Sequence, residues 1–346
     1  MTGLSALLER PRRHPGQGEG SLPMPELAVV TPMFNAAATI GETVSSVFAQ
    51  STSDWAWWIL DDGSSDDSVD RARRAVAGDC RVRIVEMGRV GHIGALRNFA
   101  LTRTDARAVC FLDADDSWRP RFLESQSELM LRSKSVVVHC GASHLTREGE
   151  IDPSPKYTGP PVVDPPDLLT VLLEANPIYS PSVMVDRAVL LREGGFSEHP
   201  DHFSNLDFDL WLRMAEKYRF AYNPERLLRY RLSPEGLSLN PANRLRNARG
   251  TIRSLEAARG RFEVGQPQLA ERLARRLGRS YAALGRALLG EANPDLPACR
   301  RAFKSAREYG FGDFRSRCFE VALAFGGVAA TALWRWLEWR NLRRQS

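Results

Sequence analysis

An α/β fold on a mostly parallel sheet, followed by an appended α-helical region, is predicted by three features of this 346-residue sequence. Short apolar runs alternate with segments of helical period from residue 27 to residue 140. Polar and acidic residues collect directly after those runs, and beyond Pro241 the chain turns Ala-, Leu- and Arg-rich. Strand-like runs alternating with amphipathic helices mean parallel βαβ units, whose ligand crevice lies outside the carboxyl ends of the strands. At 43% hydrophobic residues the chain has apolar material for about two domains, and its composition excludes disordered, collagen-like and repetitive architectures.

Along the chain, residues 1–24 hold Arg10, Arg12 and Arg13 and then Pro15, Gly16, Gly18 and Gly20. Without an apolar stretch they are expected to form a mobile leader, not a signal peptide. Strands are expected at 27–31, 55–60, 82–86, 108–112 and 135–140, with helices at 39–50, 66–77, 93–103 and 119–132 between them. Six prolines within residues 152–166 break the alternation and mark a long loop or lid. Helical signal returns at 167–174 and around 205–217, either side of the apolar run 182–185. Helices 243–263, 267–289 and 297–309, broken at Gly265-Gln266-Pro267 and Asn293-Pro294, form an expected bundle over 243–317, behind a first domain at 25–242.

The charge is uneven. Residues 1–242 carry 26 basic against 33 acidic side chains, and residues 243–346 carry 21 against 9. A basic second part suits an anionic partner, or simply a solvated Arg-rich face. In the tail, 318–346, the uncharged run Val321–Leu333 is thirteen residues, too short to span a bilayer. Trp334, Trp336 and Trp339 interleave there with Arg335, Arg340, Arg343 and Arg344, which suits an anionic leaflet. The competing reading packs the tail on the bundle through Val321, Leu323, Ala324 and Val328. Five cysteines without C-x-x-C spacing read as reduced thiols of a cytoplasmic protein, peripheral on the membrane's cytoplasmic face if the tail docks there.

The chemistry concentrates at the strand ends. Asp113 and Asp115 directly follow an apolar strand and place two hard oxygen donors near one point, suited to Mn²⁺ or Mg²⁺ beside a phosphate. Acidic residues that merely cap a helix would look the same. Four segments in order, TPMFNAAATIGETVSSVFAQS, WWILDDGSSDDS, GALRNFAL and VCFLDADDSWRPRFLESQ, resemble family 2 glycosyltransferases of the GT-A fold over residues 27–130, with weaker similarity through SPSVMVDRAVLLREGGF and LDFDLWLRM to about residue 240. The resemblance implies transfer of a sugar from a nucleotide-diphosphate donor, UDP-linked by default, with a divalent metal and inversion at the anomeric carbon. It implies that Thr31, Pro32 and Phe34 lie against the donor base and that Asp61 recognises it. It further places Arg97 beside the diphosphate, Asp113 and Asp115 at the sugar-diphosphate end with the metal, and Asp207 as catalytic base with Asp209 as competitor.

Departures are Arg89-Val90-Gly91-His92, where the family has an Asn before the glycine, and Leu206, where a Glu commonly precedes the Asp. No Q-x-x-R-W segment follows Trp211, so the processive polysaccharide synthases are a poorer match than single-addition enzymes. The acceptor implied is a glycan, a lipid-linked molecule or a small molecule, and not a nucleic acid. His199 and His202 are secondary metal candidates, and Ser182 and Ser238 fit acceptor loops or plain turns. Two rival functions remain at this level: an inactive nucleotide-sugar-binding scaffold, and a phosphatase using Asp113 as nucleophile and Asp115 as acid/base. The phosphatase is disfavoured by the motif's position after the fourth strand and by a total of four lysines.

Overall fold

The computed structural model describes residues 26–342 apart from 204, 234–235, 238–239, 263–266 and 325–326. The expected leader at 1–24, Ser238, Arg343 and Arg344 lie outside the described residues, as do the side chains of Ala324, Val328, Trp336, Trp339 and Arg340. The strands are β1 (Leu27–Met33), β2 (Trp55–Asp61), β3 (Val82–Glu86), β4 (Ala108–Phe111), β5 (Ser117–Trp118), β6 (Val137–Thr146), β7 (Gly149–Ile151), β8 (Val162–Val163), β9 (Val183–Asp186) and β10 (Phe220–Arg231). They form one sheet in the order β3-β2-β1-β4-β9-β6-β10-β5, with β7 beside β6 and β8 beside β10. β1 to β4 are mutually parallel, β9 runs antiparallel to both β4 and β6, and β10 is parallel to β6. Met33 lies opposite Asp61 and Asp61 opposite Glu86, so the carboxyl ends of the first three strands share one edge.

Period-2 alternation divides each central strand between two cores. Ala28, Val30, Trp58 and Leu60 face one layer, while Leu27, Val29, Trp57 and Ile59 face the other. α1 (Ile40–Phe48), α2 (Ser68–Val76) and α4 (Phe122–Ser133) cover the second face through residues such as Ile40, Val44, Val76 and Phe122. α3 (Ile93–Leu101), α5 (Asp167–Glu174), α6 (Arg187–Arg192) and α7 (Leu206–Ala215) cover the first. Strands buried on both sides read as continuous apolar runs, which is why β1 and β4 are plain in the sequence.

β10 is the element the sequence pattern hides. Asn223-Pro224 splits its twelve residues into two short runs, and proline has no N–H for a ladder. The register shifts between Asn223 and Arg226, and again before Leu228, accommodate the proline as a bulge, and the strand continues to Arg231.

Beyond the sheet, α8 (Arg244–Phe262) and α9 (Pro267–Leu289) extend the first core with Ile252, Leu255, Leu269, Leu273 and Leu277. Pro267 opens α9 at a position where its missing N–H costs nothing, and Asp295 caps α10 (Leu296–Glu308) by accepting the Ala298 N–H at 2.9 Å. Gly285 lets α10 approach α9, since a Cβ there would stand 2.8 Å from the Phe303 ring. α11 (Phe314–Ala324) and α12 (Gly327–Leu342) close a separate small core in which Phe319 stacks near Phe303 and Leu323, Ala330, Leu333, Trp334 and Leu337 pack. The tail thus packs on the bundle through Leu323, one of the four residues expected to do so, whereas Val321 is 58% exposed. Among the described residues no helix is long and apolar enough to cross a membrane.

Candidate active site

At the end of β2 the chain turns sharply on two carboxylates. Asp61 is buried and accepts the backbone N–H groups of Gly63 and Ser64 at 3.1 Å, so its oxygens organise the turn. Asp62 accepts the N–H groups of Val90 at 2.6 Å and Gly91 at 2.9 Å and pairs with the Arg89 guanidinium. Gly63 has φ +73°, and a Cβ there would lie 3.0 Å from the Arg89 nitrogen, so the segment 88–91 sits directly on this turn. Arg89 in turn lies 3.9 Å from the centroid of the Phe34 ring, and Phe34 is 45% exposed. A stacked guanidinium and phenyl at a strand-end crevice form a flat platform of the kind on which a planar base can rest. Thr31, by contrast, is fully buried and its hydroxyl accepts the Trp57 indole N–H at 2.9 Å; Pro32 is half-buried beside it. The resemblance points to Asp61 and marks 89–92 only as a departure from the family pattern. The acid at the second position of DDG is what shapes that segment.

The second group of residues follows β4. Arg97 of α3, 3% exposed, donates to Asp113 at 2.8 Å and to the Ser180 hydroxyl at 2.9 Å, and its Nε is buried with no hydrogen-bond partner. Burial, and then the neighbouring Asp113 charge, push the Asp115 carboxyl up to about 6. Asp116 is buried and raised by burial and by both neighbouring aspartates, while accepting the Arg231 N–H at 2.7 Å. The loop is held from two sides. Thr43 of α1 donates to the carbonyls of Ala114 at 3.0 Å and Asp116 at 2.8 Å, and Arg231 at the end of β10 donates to the Asp115 carbonyl at 2.8 Å and pairs with Glu42. Thr43, Asp116 and Arg231 escape a reading by motif; the one signal for Thr43 is a polar residue on the apolar face of α1.

Asp207 stands in the first turn of α7, half-buried. Its Oδ1 accepts the Phe208 N–H at 2.8 Å and its Oδ2 faces the Asn176 amide at 3.4 Å. Burial raises its proton affinity to a pKa of about 6 against the opposing pull of Arg97, and Asp113 adds to the rise. Asp207, Arg97 and Asp113 are therefore one electrostatic unit. Asp209 is not available in the same way: it is 8% exposed and bonds Arg213 at 3.0 Å, which itself ties down the carbonyls of Glu193 and Gly195. Leu206, standing where the motif has Glu, is part of the core. Lys156, from the proline-rich segment, completes the rim 3.6 Å from the Tyr179 ring centroid, within the electrostatic reach of Asp207.

Among the described residues no group of three or more His, Cys, Asp or Glu could hold a metal ion. Two carboxylates beside a diphosphate would suffice for Mg²⁺ or Mn²⁺, which keep phosphate and water oxygens as ligands. Asp113 and Asp115 fit that role: they are oxygen donors at one strand end, and the charge of the first loads the second with proton affinity a cation would relieve. His202 does not take part. It is 4% exposed and bonds Ser197 at 2.6 Å and Ser254 at 3.1 Å. His199 pairs with Asp201 at 3.6 Å. Ser182 is a turn serine that donates to the Tyr179 carbonyl at 2.7 Å.

The chain is similar to known proteins. The sequence model described as Glycosyl transferase family 2 matches residues 28–190. TuaG of Bacillus subtilis, a glycosyltransferase assigned by name to teichuronic acid biosynthesis, is 32% identical over 219 residues, which cover 62% of this chain and 82% of TuaG. The chain belongs to glycosyltransferase family 2. A second relative, the Escherichia coli UDP-Glc:alpha-D-GlcNAc-diphosphoundecaprenol beta-1,3-glucosyltransferase WfgD, is 28% identical over 222 residues, 64% of this chain and 82% of WfgD. Staphylococcus aureus TarS, residues 1–349, solved in complex with UDP, superposes with a TM-score of 0.62 at 16% identity over 93% of this chain and 92% of that one. The fold of this family 2 glycosyltransferase is thus GT-A-like, and the likeness runs past the sheet into the helical region.

Proposed function

We propose that this glycosyltransferase moves a sugar from a UDP-linked donor to an acceptor hydroxyl, inverting the anomeric carbon, with Mg²⁺ or Mn²⁺ as cofactor. The observation that carries the reading is the shared electrostatics of Asp207, Arg97 and Asp113, with Asp115 beside them, at the carboxyl edge of the sheet. In this reading Phe34 and Arg89 receive the base and Arg97 supports the diphosphate. Asp207 accepts the acceptor's hydroxyl proton as the oxygen attacks in line, and one base serving one displacement gives inversion. The divalent ion, held by Asp113 and Asp115, would neutralise charge on the leaving diphosphate. The donor named for WfgD and the nucleotide bound to TarS support UDP. Thermal unfolding with UDP, GDP and dTDP, each with and without Mn²⁺, tests it. UDP with Mn²⁺ should raise the midpoint most, because a ligand of the native state stabilises by mass action. A larger shift with another nucleotide reassigns the donor, and no shift with any of them removes the reading.

Peripheral contact with an anionic leaflet is the remaining part of the proposal, and a point substitution tests it better than a truncation. A form ending at Arg317 would lose Phe319, Leu323 and Ala330 from the small core, so its behaviour would report unfolding. Arg335 is exposed and can be reversed without touching that core. Arg335→Glu should float less with phosphatidylglycerol vesicles than the unaltered protein, in a salt-sensitive way. Equal flotation removes the anchor.

A further inference from the structure

A cleft of about 600 Å³ opens between α8, α9 and α12, away from the strand-end crevice. Its volume falls in the range of small-molecule sites. Four arginines line it, Arg244, Arg276, Arg279 and Arg286, against a single lining carboxylate, Glu291, with Trp334 as an apolar wall. Some of this charge is answered from outside the lining. Glu174 accepts from Arg279 at 3.0 Å and through its carbonyl from Arg276 at 2.9 Å, and Arg286 reaches Ser316 at 3.3 Å and Asp313 at 3.7 Å. The Nε atoms of Arg276 and Arg279 are nevertheless buried without a hydrogen-bond partner, and burial together with the Arg279 charge pulls the Arg276 proton affinity down. Several guanidinium groups around one volume match a group with several oxygens and more than one negative charge, which describes a phosphodiester chain or a diphosphate better than a lone carboxylate.

The cleft is joined to the candidate base along two short routes. Thr251, on its wall, accepts from the Asn205 amide at 3.0 Å, and the carbonyl of Asn247 lies 3.4 Å from the same amide; Asn205 precedes α7 and stands two residues before Asp207. Arg276 and Arg279 hold the end of α5 through Glu174, two residues before Asn176, whose amide faces Asp207.

We propose that this cleft is a phosphate-binding subsite that takes the phosphodiester or diphosphate group of the acceptor and presents it behind the α7 base. The acceptor role rests on the glycosyltransferase reading above; the anion site itself does not. The test is calorimetric titration of the full chain, in EDTA and without nucleotide, with inorganic pyrophosphate and with a glycerol phosphate oligomer. Saturable, salt-weakened binding of at least one is expected, reduced about tenfold or more in Arg244→Glu and in the cleft-filling Ala287→Phe. Circular dichroism melting identifies a variant that fails to fold, and the other then decides. Unchanged affinity in a folded variant, or no binding of either probe, overturns the proposal. Arg244-dependent binding to phosphatidylglycerol vesicles alone, with neither soluble probe bound, overturns it in favour of a lipid headgroup site. Because no donor or transfer enters the titration, a failed base assignment leaves this result standing. Retained binding with no transferase activity would break the acceptor role only.

Discussion

Asp207→Asn is expected to lower turnover by about 10²–10⁴-fold while leaving UDP affinity nearly unchanged, the range by which a positioned general base contributes. The expectation rests on where the two candidate carboxylates sit. Asp209 is committed to Arg213 and through it to the carbonyls of Glu193 and Gly195, whereas Asp207 lies with Arg97 and Asp113 at the crevice. Asp209→Asn should accordingly lower the melting temperature more than it lowers turnover per folded molecule. If Asp209→Asn instead shows the selective loss of turnover, the assignment is wrong by two residues. The pH dependence follows the same group. A base must be ionised, and burial holds Asp207 at about 6, so the rate should fall as pH drops through that value and this limb should vanish from the residual activity of the variant. Stability carries the opposite sign. A carboxyl whose folded pKa is raised contributes stability below its unfolded pKa and loses it as pH rises through about 6, so at pH 7.5 the Asn variant should be no less stable than the parent.

Asp115→Asn should abolish metal-dependent transfer without unfolding the domain. A charge-neutralising cation is worth several kcal/mol at a developing diphosphate, and about 4 kcal/mol corresponds to about 10³-fold in rate. Mn²⁺-dependent stabilisation by UDP should fall with it. The fold should survive, because the Asp115 side chain carries an ionisation cost from burial and from Asp113, while what anchors the loop is its backbone carbonyl on Arg231, which the substitution keeps. Full activity in this variant would sink the metal assignment, and a cooperative loss of structure would show that the side chain is part of the scaffold.

The two experiments probe residues that were legible for different reasons. Asp113 and Asp115 stand out because they end a continuous apolar run, β4, whose burial on both faces leaves no polar residue until the chain reaches the sheet edge. Asp207 stood out only through resemblance, and its neighbour two residues on looked equivalent. The preference for Asp207, implied by the resemblance, gains support from side-chain partners that no local pattern contains. The same holds for Asp61 and Asp62, identical in type and adjacent, one turned into its own loop and the other into the segment 89–91.

The sequence alone determined the parallel half of the sheet, its flanking helices, the helical region after Pro241 and the acidic strand ends, because each depends on periodicity and turn chemistry within a few residues. The tertiary structure alone decided the rest. It inserted β9 antiparallel between β4 and β6, carried β10 across Pro224, and set Arg97 between residues 113 and 180. It also folded the tail onto α9 and α10. Those outcomes depend on contacts between residues tens of positions apart, where burial and partner geometry outweigh local propensity.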